Sequence, residues 1–158
     1  MKTSVTELEA AVRSVLEGAN VPTSDAADIA WACAWLECCG YPGVKTLIEA
    51  LGDEPNDIEL ARDALGLNLT GISCALLAPR LMREVENGGR VFLRNVRHGL
   101  YLLPFTVRAN IGIGCPVDPA FAVGGERASN PYGEKLAAAG RDGIVVDDES
   151  WRLLQAER

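Results

Sequence analysis

A chain of 158 residues with an apolar fraction of 48% is long enough for one well-formed core and too apolar to be disordered. Its net charge of −7 argues against nucleic acid as a main partner, because neutralising phosphates needs a basic face. No apolar run is long enough to span a bilayer, and the opening Met1 to Glu7 is neither a signal peptide nor an Arg-rich transit peptide. No membrane partner and a cytoplasmic location are therefore expected.

Ser4-Val5-Thr6-Glu7 has the Ser-x-x-Glu form of a capping box. Val5, Leu8, Val12, Val15 and Leu16 follow at helical spacing, and Gly18 ends this first helix. Asn20 to Thr23 form a turn. The next helix, Ser24 to Cys39, is capped by Thr23 or Ser24 with Asp25 in its first turn. It is apolar on almost every side: after Asp28 its only charge is Glu37, and Trp31 and Trp35 stand one turn apart. A soluble helix normally keeps a polar face. This one needs wrapping by its own domain or by another subunit, and a homo-oligomer is expected. Gly40 to Gly43 break the helix, Val44 to Leu51 form a short one, and Asp57 to Leu65 another.

Ile72 to Glu86 carry Leu76, Leu77, Leu81, Met82 and Val85 at helical spacing, with Pro79 as a kink or as a first helical residue. Arg90 to Val96 read as a strand, and Gly99 to Leu103 pair with it or continue it. Pro104 to Ile111 read as a short helix, and Cys115 to Val123 as an extended edge. Asn130 caps a helix with Pro131 at its first position and Gly140 at its end. Gly143 to Val146 form a short strand, and Asp147 or Asp148 caps the last helix. These elements define an α+β fold in a single globular domain, 1–158. An N-terminal helical layer (1–66) packs with a small C-terminal sheet and two further helices (67–158).

Several motifs begin chemistry that they do not complete. Gly71-Ile72-Ser73-Cys74-Ala75 nearly matches the nucleophile elbow Gly-x-Ser-x-Gly, with His98 as the only histidine available as base. The preceding Asn68-Leu69-Thr70 is a poor strand, so entry into a helix is the better reading. Cys74 and His98 could form a thiol and its base, a pairing that chance offers in any chain with five cysteines and a histidine. Cys38 and Cys39 are adjacent, not spaced as a redox pair or metal site. Gly112-Ile113-Gly114 begins like a dinucleotide fingerprint but lacks its third glycine, and Cys115-Pro116 follow where a helix should open. No metal and no cofactor are expected, and the cysteines are expected as buried free thiols in a reducing compartment.

Charge is unevenly placed. Residues 80–108 hold six arginines against two acids, a local balance of +4, and the remainder of the chain therefore carries −11. Within this segment Arg94, Arg97 and His98 are the candidate ligand-binding residues. On a strand Arg94 and His98 share a face and could hold a carboxylate or phosphate, with Arg97 as a neighbour. The competing reading is a salt-bridged contact with the acidic helical layer.

From Val5 to Leu51 the chain resembles the start of the non-Rossmann malate/L-lactate dehydrogenase family. The shared features are a capped first helix, Ala19-Asn20-Val21-Pro22-Thr23-Ser24-Asp25 at the turn, an alanine-rich second helix, and Gly40, Gly43-Val44 and Leu47 after it. That family carries Asp-Ser-His between such glycines and uses the histidine in catalysis. Tyr41-Pro42 stand here instead, so the resemblance implies shared architecture without that activity. The chain also resembles a bacterial family of unknown function, through its capped opening helix, its Ala- and Trp-rich second helix and Leu102-Leu103-Pro104-Phe105. The expected function is a non-catalytic, homo-oligomeric accessory or small-molecule-binding subunit. The alternative is an enzyme related to dehydrogenases, or one acting on a small carboxylate through Arg94, Arg97 and His98.

Overall fold

The structure, a computed structural model, describes residues 1–53, 61–63, 66–70, 72–86, 93–109 and 132–157. It is α+β, and the chain divides into two compact units, Met1–Gly52 with Asn130–Arg158, and Asp53–Ser129.

In the first unit, strand β1 (Lys2–Thr3) leads into helix α1 (Val5–Gly18). The capping box is complete: Ser4 Oγ accepts the Glu7 N–H at 3.2 Å, and Glu7 Oε2 accepts the Ser4 N–H at 2.9 Å. Leu8, Ala11, Val12, Val15 and Leu16 form the buried stripe of α1, which packs on α2. Helix α2 (Thr23–Cys38) begins one residue before the expected start. Pro22 occupies the N-cap, so neither Thr23 nor Ser24 caps it; the fixed φ of proline sets the entry in place of a side-chain bond.

Residues Ala32 to Leu36 of α2 are buried consecutively, more than a full turn of helix. The chain itself covers this stretch. The two tryptophans are unequal. Trp35 is buried against the Tyr132 ring, with centroids 4.7 Å apart, whereas Trp31 is half-exposed.

Helix α3 (Gly43–Asp53) follows. Its first turn is held by Glu37, whose Oε1 accepts the Val44 N–H at 2.9 Å. After the second unit the chain returns as helix α6 (Gly133–Asp142), strand β5 (Ile144–Val145) and helix α7 (Asp148–Ala156). α6 follows Tyr132 as its N-cap and runs through Gly140 to stop at Gly143. There φ is +82° and a Cβ would meet the Thr3 carbonyl at 2.9 Å, so glycine is required at 143 and not at 140. β5 pairs antiparallel with β1. Asp147 caps α7 by accepting the Ser150 N–H at 2.9 Å.

In the second unit, strand β2 (Ala61–Asp63) pairs antiparallel with β3 (Gly66–Asn68), and β3 pairs parallel with β4 (Leu93–Arg94). The helix expected over 57–65 is therefore corrected: residues 61–63 are paired strand. Helix α4 (Cys74–Glu86) links the two parallel strands, making β3–α4–β4 a βαβ unit. Pro79 lies inside α4 and does not start it.

The strand expected over 90–96 is seen only at Leu93–Arg94 among the described residues, and Asn95 leaves it with φ +57°. Gly99–Tyr101 is a 3₁₀ turn and Leu102–Ala109 is helix α5, not a second strand, while the helix expected over 104–111 falls largely within α5. Tyr101, Leu102, Leu103 and Phe105 are buried, and α5 packs on α4. Gly71, Gly112 to Gly114, the extended edge expected at 115–123, and Asn130-Pro131 lie outside the described residues.

Candidate functional site

Parallel pairing of β3 and β4 brings the residues that follow them, 69–70 with 72–73 and 95–98, to the same edge of the sheet. Backbone bonds join them. The Leu69 N–H donates to the Arg94 carbonyl and the Cys74 N–H to the Arg97 carbonyl, each at 2.9 Å, and Ser73 forms a parallel bridge with Arg97. Side chains add to this. Asn95 Nδ2 donates to Asn68 Oδ1 at 2.8 Å and to Thr70 Oγ1 at 2.9 Å.

The contact that carries chemical interest is Ser73 Oγ to His98 Nδ1, 2.6 Å. Ser73 stands immediately before α4, and its Oγ also accepts the Ala75 N–H at 3.1 Å, as a helix cap. His98 reaches it from a left-handed backbone, φ +56°. A serine between a strand and a helix, with an imidazole in hydrogen-bond reach, has two parts of a nucleophile elbow. Two others are missing. Ser73 is wholly buried, where a nucleophile must meet its substrate. The N–H of the following residue, Cys74, which an elbow uses to hold the oxyanion, is already donated to Arg97. The serine works as a cap and as the anchor of His98.

Arg94 ends β4 and Arg97 lies on the loop beyond it; both are half-buried. The strand alternation expected to put Arg94 and His98 on one face does not exist, because the strand ends at Arg94 and both Asn95 and His98 have positive φ. What the fold does is gather Arg94, Arg97 and His98 within one short segment beside the start of α4. Among the described residues the other arginines of this charged stretch disperse: Arg80 and Arg83 are exposed on α4, and the Arg108 guanidinium lies 5.2 Å from the centre of the Phe105 ring.

The thiols are quiet. Cys33, Cys38, Cys39 and Cys74 are free, and burial pushes both Cys38 and Cys39 up to about 11. Among the described residues no three His, Cys, Asp or Glu side chains are grouped to hold a metal, and no helix is long and apolar enough to cross a membrane. A cleft of about 460 Å³ in the first unit is lined by Glu37, Lys45, Glu49, Asp147 and Glu149 among others. Its acidic lining is the wrong sign for an anion, and the Ser73–His98 edge, with its arginines, is the better candidate on chemistry.

Residues 3–77 match a family model described as "Protein of unknown function (DUF3726)". The match takes in α1 to α3, β2, β3 and the start of α4 with Ser73, and stops short of Arg94, Arg97 and His98. The chain is thus similar, over its first half, to a family of unknown function, while the likeness of its opening helices to the dehydrogenases has no counterpart in these comparisons. No curated protein and no solved structure matches the chain.

Proposed function

We propose that this chain is a non-catalytic, cytoplasmic accessory protein that binds a small anion at the carboxyl edge of β3 and β4, through Arg94, Arg97 and His98. The observation that carries this reading is the βαβ unit. In α/β units ligands bind beyond the carboxyl ends of parallel strands. At this edge Arg94 ends β4, and the loop after it holds Arg97 and the chain's sole histidine, His98. Guanidinium groups suit carboxylate and phosphate oxygens. The unreactive thiols suit a reducing compartment. The homo-oligomer expected from α2 stays part of this reading, supported by the half-exposed Trp31 ring on that apolar helix.

The test is thermal unfolding with sulfate, inorganic phosphate and succinate. Wild type is expected to gain melting temperature saturably with at least one of them, and Arg94→Ala to lose the gain while keeping its fold. No saturable gain with any anion, or an unchanged gain in Arg94→Ala, would overturn the reading. If Arg94 instead serves internal docking, its removal lowers stability with no ligand present.

One observation favours a second reading, an enzyme acting on a small carboxylate: the 2.6 Å approach of Ser73 to His98. That reading requires labelling of Ser73 by a fluorophosphonate, lost in Ser73→Ala. Its burial and the occupied Cys74 N–H favour no labelling.

A further inference from the structure

We draw no further inference here: the strongest candidate, the cleft of about 460 Å³ between α3 and α7 in the first unit, is a cluster of acidic side chains of which Glu37 and Asp147 already hold the first turns of those two helices, and nothing else among the described residues points to a ligand there.

Discussion

Gly43 rests against the backbone carbonyl of Cys33. A methyl group built on its α-carbon would meet that oxygen at 2.7 Å and Leu36 Cβ at 3.1 Å. Helix α3 thus starts in contact with α2, with no room for a side chain, and the obstacle is backbone that cannot swing aside. Gly43→Ala is expected to destabilise the protein by about 1–3 kcal/mol in chemical denaturation. Gly140, in α6, has nothing within 4 Å, and Gly140→Ala is expected to stabilise by about 0.5–1 kcal/mol. Equal effects at the two positions would refute the contact.

The two tryptophans of α2 are expected to separate in the same assay. Trp35→Ala removes a buried ring and should cost about 3–5 kcal/mol. Trp31→Ala should cost clearly less, since that ring is half-exposed. A double-mutant cycle between Trp35 and Tyr132 should return about 0.5–1.5 kcal/mol of coupling for the tilted ring pair. A larger loss from Trp31 than from Trp35 contradicts the packing.

Glu37 gives stability a pH dependence of unusual sign. Burial raises its carboxyl above the ordinary 4.5, against the lowering effect of the Val44 and Gly43 N–H groups. Between that ordinary value and the raised one, the folded state holds the extra proton, so this contribution falls as pH rises through the window. Glu37→Gln keeps an oxygen for the Val44 N–H and removes the charge. It should melt higher than wild type at pH 7, with the advantage fading below pH 4.5. An equal gain at both pH values would refute the burial effect.

Glu7 and Asp147 act oppositely. Bonds from Ser4, and from Ser150, hold their carboxyls below the ordinary range. Their contributions are present above the ordinary values and vanish as pH falls through the lowered ones. Glu7→Gln and Asp147→Asn should therefore lower the melting temperature at pH 7 and match wild type in strong acid. A deficit that persists in strong acid would point to lost packing instead.

With both thiols held near 11, Cys38 and Cys39 should react with a disulfide reagent at pH 8 far more slowly than free cysteine. In denaturant all five cysteines of the chain should react at once. Rapid labelling of either thiol in the native protein would show that the α2 terminus opens.

Helices α1, α2, α3 and α7 were legible in the sequence because each announces itself locally: a capping box at Ser4, a helical apolar period, a breaker at Gly40 to Gly43, an Asp147 cap. The short strands were not. Ala61-Arg62-Asp63 has no strand character of its own and takes that form by pairing with β3, a tertiary effect. Gly99 to Leu103 looks like strand because it is aromatic and apolar, yet its apolar side chains serve a helix packed on α4. Ser73 and His98 were paired in the sequence only as a nucleophile and its one possible base, not as a helix cap and the ring it anchors. Their meeting depends on a parallel pairing and on the left-handed turn at His98, and neither leaves a mark in local sequence.

Pairing of β1 with β5 joins Lys2 and Thr3 to Val145 and Ile144, across nearly the whole chain. The first unit is therefore assembled from two separated stretches of sequence, with residues 53–129 inserted between them. During synthesis α1, α2 and α3 emerge before the inserted unit, yet β5 and α7, which complete their surroundings, emerge only after it. The apolar flank of α2 that meets α6 and β5 stays uncovered until then, while the inserted unit has all of its own residues in hand. The order of maturation runs from the middle outward: once residues 53–129 have left the ribosome, the second unit can close while the first still waits for β5 and α7.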